Sequence, residues 1–176
     1  ERHPERADGR ELGRRIAAED PGNPTAARLL ASVEWSSGQQ GEALSRLAGA
    51  TAAHPCDVEL TKYTAALRRA AGVAEGALAV LATSLECTGP HVELLYQKAL
   101  AQIELEQYGA AHASVRQMRG LADHFHALAL VAATEGHLAA AEGHWQRAKG
   151  HYLESLRLRP DRVHVRLQLA KVYREL

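Results

Sequence analysis

Apolar residues recur at helical spacing along the chain, in pairs of short stretches separated by glycine. The first stripe lies between Thr25 and Ser37 and consists of Ala27, Leu30, Ala31 and Val33. Gly38 and Gly41 interrupt the pattern, and a second stripe then follows before Pro55, consisting of Ala43, Leu44, Leu47 and Ala50. Residues three and four positions apart share one face of a helix, so each unit of the pattern predicts two short helices.

The unit repeats at a fixed period, and several independent marks share this register. These marks are Gly38 and Gly72; Ala43, Ala77 and Ala111; Leu47, Leu81 and Val115; and Pro21, Pro55 and then Gly89, ahead of Pro90. A proline after the second helix ends it, because proline lacks the amide donor and disfavours helical geometry in the preceding residue. A period of roughly 34 residues indicates stacked copies of one helix pair.

A shorter repeat lies inside the last full unit. The segments EGHLAAA, EGHWQRA and KGHYLES run consecutively from Glu135 to Ser155. Seven residues are close to two helical turns, so such an insertion keeps each side chain near its original face. We expect one lengthened helix over about 138–159 with Gly143 and Gly150 inside it. The alternative is a break at Gly143 or Gly150, which would place Glu135 and Gly136 at core positions of a first helix.

The repeat resembles the tetratricopeptide repeat (TPR) family, whose 34-residue pattern is roughly W-x2-L-G-x2-Y, then A-x3-F, then P. Three parts of the chain carry the resemblance: Leu169, Ala170 and Tyr173; Phe125, Leu128, Ala129, Gly136, Ala141, Trp145 and Ala148; and Ala99, Tyr108 and Ala111. It implies an all-α, right-handed α-solenoid of stacked antiparallel helix pairs, with about ten helices in a single domain over 1–176. The expected parts are a second helix at 9–20, repeats at 24–55, 58–89, 92–120 and 122–160 (the last with the seven-residue insertion), and a first helix at 162–176.

Composition excludes several classes of protein. Lys and Arg (21) balance Asp and Glu (21), so no excess basic charge favours nucleic acid or an anionic membrane. Apolar runs are far shorter than the roughly 20 residues of a membrane-spanning helix, and the first ten residues lack the apolar core of a signal peptide. We expect a bacterial, cytoplasmic protein, with a periplasmic location as the alternative. A chain that opens on Glu and begins and ends on half repeats is expected to be part of a longer array.

Candidate chemistry is sparse. Cys56 and Cys87 lie far apart along the chain without a metal-ligand pattern, which favours reduced thiols over a disulfide. His137, His144 and His151 follow the seven-residue repeat, so neighbours on one helix would be about 10 Å apart, too far to share a zinc ion. No nucleophile, phosphate-loop or metalloprotease motif occurs. We therefore expect no enzyme activity, no metal site and no cofactor.

The resemblance implies that first helices line a concave surface that binds a protein or peptide segment. Carried over position by position, the partner-binding residues are Arg28, Ser32, Trp35, Lys62, Arg69, Tyr96, Ile103 and His126. Trp35, Tyr96 and Ile103 would provide apolar anchors, or would instead pack between repeats. The basic residues would pair with acidic groups of the partner.

Three functions are compatible with these expectations. The first is a protein–protein interaction module that scaffolds an assembly. The second is the N-terminal scaffold of a larger bacterial enzyme of the glycosyltransferase, sulfotransferase or oxygenase type. The third is a self-assembling scaffold, because the last helix shows Val163, Val165, Leu167, Leu169 and Val172 with no second helix to cover them.

Overall fold

The computed structural model describes residues 4–20 and 22–176, and within these ranges it contains ten α-helices and no strand. The helices are α1 (Pro4–Glu19), α2 (Pro24–Ser36), α3 (Gln40–Ala53), α4 (Val58–Ala70), α5 (Ala74–Thr88), α6 (Val92–Glu104), α7 (Tyr108–Leu121), α8 (Phe125–Ala141), α9 (Trp145–Leu158) and α10 (Val163–Glu175). The predicted all-α fold of antiparallel helix pairs is confirmed. Pro21, one mark of the predicted period, lies outside the described residues.

The chain forms two compact units, one ending at Thr88 and the other beginning at Gly89. In each repeat the even-numbered helix is the first helix and the odd-numbered helix after it is the second. In the first unit, α2, α3 and α4 enclose a core of Ala31, Ala43, Leu47 and Leu60. In the second unit, α8, α9 and α10 enclose a core of Ala133, Ala139, Ala148, Tyr152, Val165, Leu169 and Val172. Alanine at many of these positions lets the helices approach one another closely.

One backbone motif ends the first helix of every complete pair. Gly38, Gly72, Glu106 and Gly143 have φ values of 83°, 76°, 57° and 76°. The amide that follows each of them donates to a carbonyl five positions back, as in Gln39 N–H to Glu34 O at 2.9 Å and His144 N–H to Ala139 O at 2.8 Å. This is the Schellman helix end, which requires a left-handed residue. The first three of these turns recur at the predicted period, with glutamate instead of glycine at the third.

The fourth turn corrects the predicted helix over 138–159. Gly143 has a left-handed backbone, so the chain reverses there. The lengthened helix is therefore α8, which has 17 residues, whereas α2, α4 and α6 have 13 each. Gly136 is therefore a core residue of a first helix, whereas Phe125, one of the residues that carry the resemblance, is 72% exposed. A seven-residue repeat preserves helix faces, so the apolar pattern alone does not reveal which helix is lengthened.

The cysteine prediction was also wrong, because Cys56 and Cys87 form a disulfide with a Cα–Cα distance of 5.4 Å. Cys56 lies in the turn before α4, and Cys87 lies in the last turn of α5. The antiparallel pairing of α4 and α5 brings the start of one helix beside the end of the other. Both cysteines are exposed at this end of the pair.

Substituting the left-handed glutamate tests the helix-end motif. Glu106→Gly is expected to raise the free energy of unfolding by about 0.5–1 kcal/mol, because glycine adopts this backbone without strain. Gly72→Ala at the equivalent turn is expected to lower it by about 1 kcal/mol. No heavy atom lies within 4 Å of the added Cβ at position 72, so that loss reports the backbone alone. Urea unfolding measures both variants, and a destabilised Glu106→Gly protein would contradict the motif.

Gly136 tests the position of the break. A Cβ at Gly136 would lie 2.6 Å from two ring carbons of Tyr152, so Gly136→Ala is expected to lower the free energy of unfolding by about 1–3 kcal/mol. Gly150, at the same place in the seven-residue repeat, is the control, because an added Cβ there meets nothing within 4 Å. Gly150→Ala is expected to be stabilising by about 0.5–1 kcal/mol in the interior of α9. Equal effects of the two substitutions would contradict this arrangement.

The disulfide predicts a thiol-dependent stability. Reduction, or the double substitution Cys56→Ser and Cys87→Ser, is expected to lower the free energy of unfolding by about 2–4 kcal/mol, because the cross-link restricts the unfolded chain. Thermal unfolding with and without reductant measures the loss, and the serine variant is expected not to respond to reductant. Two free thiols in the oxidised native protein would show that the bond does not form.

Candidate functional site

Two of the predicted residues of the first unit contact the same carboxylate. Arg28 of α2 and Lys62 of α4 both face Glu59, with Arg28 Nη1 3.7 Å from Oε2 and Lys62 Nζ 2.6 Å from Oε1. Ser32 lies one helical turn after Arg28 and is exposed. Two neighbouring first helices therefore present a shared surface of charged and hydroxyl groups.

Trp35 and Arg69 have different surroundings from this group. Trp35 is half-buried and packs against the core of the first unit, so it contributes to the contact between helices. Arg69 is half-buried in the last turn of α4. Trp35 therefore has the packing role that the sequence left open as an alternative to an anchor.

In the second unit, Tyr96 is a core residue. It is 8% exposed, and the guanidinium carbon of Arg162 lies 5.8 Å from its ring centroid, within the range of a cation–π contact. Ile103, also of α6, is half-buried. A partner approaching Tyr96 would meet Arg162 before the ring.

His126 is the centre of a hydrogen-bonded chain that joins α6, α8 and the turn after α9. Its Nε2 lies 3.2 Å from Glu93 Oε1, and its Nδ1 lies 2.9 Å from Arg159 Nη1. Arginine only donates, so Nδ1 accepts, and the ring carries its proton on Nε2 and donates it to Glu93. Arg159 also donates two hydrogen bonds to Asp161, which lower the pKa of that carboxyl to about 2.

Sequence reasoning did not include Arg159, Asp161 or Arg162 in the site. A partial signal was present, because Glu93 and His126 lie close to one repeat length apart and each is the second residue of a first helix. Arg159 lies in the turn before α10, whereas the carried-over pattern considers positions within first helices. The structure brings Glu93, His126 and Arg159 together at one end of the α6 and α8 helices.

A second polar surface is a groove of about 290 Å³ lined by α7, α8 and α9. Two half-buried carboxylates organise it, and each contacts two basic groups. Glu135 pairs with Arg119, and its Oε2 lies 3.2 Å from His151 Nδ1. Glu142 pairs with two further histidines, its Oε1 2.9 Å from His112 Nε2 and its Oε2 3.5 Å from His144 Nδ1.

The histidines of the seven-residue repeat therefore do not form one exposed stripe. His144 and His151 contact carboxylates in the groove, whereas His137 lies on α8 and contacts α9 and α10. Within residues 4–20 and 22–176 there is no group of three or more His, Cys, Asp or Glu side chains arranged to hold a metal ion. None of the described helices is both long and apolar enough to cross a membrane.

Comparison with known proteins identifies the fold. No protein-family model matches the chain, and no curated protein matches it in sequence. Among solved structures, TTC0263, a thermophilic TPR protein of Thermus thermophilus, matches with a TM-score of 0.73 and 22% identity over 93% of this chain and 88% of its own. The chain has the tetratricopeptide repeat fold.

Two further TPR structures match over nearly all of this chain. A chain of the APC/C hetero-tetramer Cut9–Hcn1 has a TM-score of 0.77 and 13% identity over 97% of this chain and 33% of its own. YrrB, described as a TPR protein with an unusual peptide-binding site, has a TM-score of 0.61 and 16% identity over 95% of this chain and 84% of its own. At these identities the likeness concerns the TPR fold and does not extend to a partner.

Proposed function

We propose that the chain is a protein-interaction module that binds a protein or peptide segment on the surface of its first helices and scaffolds an assembly. The observation that carries the proposal is the set of charged side chains that neighbouring repeats present together, Arg28, Glu59 and Lys62 in one unit and Glu93, His126 and Arg159 in the other. Cut9 with Hcn1, and YrrB with its peptide-binding site, are precedents for partner binding on this fold.

The partner is a polar segment that carries both signs of charge. Each of the two surfaces combines acidic and basic groups, and complementary charges guide encounter and fix register at interfaces. Tyr96 is buried and Trp35 packs against the core, so the binding energy comes mainly from the polar residues, which are half-buried or, at Ser32, exposed. Arg28, Ser32 and Lys62 therefore carry the proposed contact of the first unit, and His126 carries that of the second.

The disulfide favours one of the two expected locations. An exposed cystine persists in oxidising compartments and is reduced in most cytosols. Cys56 and Cys87 are both exposed, which supports the periplasmic alternative over the cytoplasm. We propose no enzyme activity for this chain, since the charged clusters described above consist of mutually paired groups.

A crosslinking experiment tests the binding surface. A photoreactive amino acid at Ser32, exposed on first helix α2, is expected to crosslink the partner in extracts of the source cells. The same group at Glu75, exposed on second helix α5, is the matched control and is expected not to crosslink it. Arg28→Glu with Lys62→Glu is expected to weaken capture of that partner about tenfold or more, whereas Glu75→Lys with Glu86→Lys leaves it unchanged.

Two results would contradict the proposal. One is a crosslink at position 75 without one at position 32, and the other is equal capture by the two charge-reversed proteins. Sedimentation of the same samples tests the second candidate function, which is self-association. That candidate is favoured by α10, where Val163 and Leu167 are 63% and 60% exposed. A dimer that the α2 and α4 substitutions do not affect would favour it.

A further inference from the structure

His137 contacts side chains from two other helices. On one side, the Tyr152 hydroxyl of α9 lies 2.9 Å from Nδ1. On the other side, Nε2 of His164, at the start of α10, lies 3.2 Å from Nε2 of His137, with ring centroids 5.2 Å apart and planes at 68°. Both nitrogens of the His137 ring are therefore directed at defined groups.

The two Nε2 atoms converge as the ligands of a metal ion do. Imidazole nitrogens bind zinc at about 2.0–2.1 Å, which places two ligands of a tetrahedral ion about 3.4 Å apart. The observed separation of 3.2 Å lies close to this value. In the metal-free chain one of the two nitrogens carries a proton and donates it to the other, and a metal ion would replace that proton without moving either ring far.

Tyr152 provides the outer contact that metal-binding histidines have. Such a histidine donates its other N–H to an oxygen, which fixes the ring and its tautomer. Tyr152 Oη is in place to accept from Nδ1 of His137, and the Tyr152 side chain is held rigidly, since the residue is 1% exposed and its ring packs on Gly136.

Solvent access leaves room for the remaining ligands. His164 is exposed and lines an open surface groove on α10, so water can complete the coordination. His144 and His151, the sequence equivalents of His137, are held by Glu142 and Glu135 and do not approach the site. Neutral imidazole donors suit Zn²⁺, Ni²⁺ and Cu²⁺.

We propose that His137 and His164 bind one divalent transition-metal ion through their Nε2 atoms, with Tyr152 as a positioning residue for His137. The ion joins α8 to α10 and thereby fixes the last helix of the second unit. His137 belongs to the seven-residue repeat, but its partner lies on another helix, well beyond the repeat, so spacing within the repeat does not reveal the site.

Titration of the metal-stripped, tag-free chain tests this site. Zn²⁺ and, separately, Cu²⁺ are added at about pH 7.5, where histidine is largely neutral, and binding is followed by calorimetry and thermal unfolding. We expect one saturable site per chain, a higher unfolding temperature, and a Cu²⁺ spectrum coupled to two nitrogens. His164→Ala is expected to weaken this binding at least tenfold, and its Cu²⁺ spectrum is expected to show coupling to one nitrogen at most. Tyr152→Phe is expected to weaken the binding about tenfold.

Controls separate this site from the other histidines. His144→Ala and His124→Ala each remove one exposed histidine elsewhere and are expected to retain the site and the shift in unfolding temperature. Because His164 is exposed, its substitution is expected to leave the fold intact, which circular dichroism checks. Unchanged binding in His164→Ala, loss of the site in His144→Ala, or only weak binding at several places would overturn the proposal.

Discussion

The left-handed residue after each first helix is the constraint on which the helix pairs depend. It reverses the chain in a short turn and directs the next helix back along the first, so that the small residues of both helices meet. At Gly38, Gly72, Glu106 and Gly143 the same hydrogen bond closes the turn. The spacing of these turns, equal for the first three and slightly longer before the fourth, therefore sets which residues form each pair.

The period predicted the fold because turns and apolar faces repeat together in the sequence. It could not decide where the seven-residue repeat would reverse, since Gly136, Gly143 and Gly150 are equivalent in that pattern. The choice depends on packing: Tyr152 requires a residue without a Cβ beneath its ring, and Gly136 in α8 meets this need. The cysteine pairing was missed for a similar reason. The prediction used the separation of the two cysteines along the chain, whereas the pairing of α4 with α5 brings both of them to the same end of the helix pair.

The candidate surface was predictable only in part. The structure brings Arg28 and Lys62 together at Glu59, and His126 joins Glu93 and Arg159. The family pattern predicts the direction in which a side chain leaves its helix. It does not predict which side chains of neighbouring elements cover that side chain. Arg162, in a turn, covers Tyr96, and the size of Trp35 places it against the core. Residues in turns and large aromatic side chains are thus the ones whose role depends on tertiary contacts.

The Cys56–Cys87 bond has a consequence for a chain that is pulled from its ends. In a repeat fold each helix pair contacts only its neighbours, so a pulled chain lengthens as individual pairs unfold. The pulling force passes through the disulfide bond and not through the segment between the two cysteines. The helices α4 and α5 therefore bear no force, even after they lose their helical structure. About 31 residues, or roughly 100 Å of extended chain, are withheld from the stretch. The fully extended length of the oxidised protein is therefore shorter than its number of residues implies.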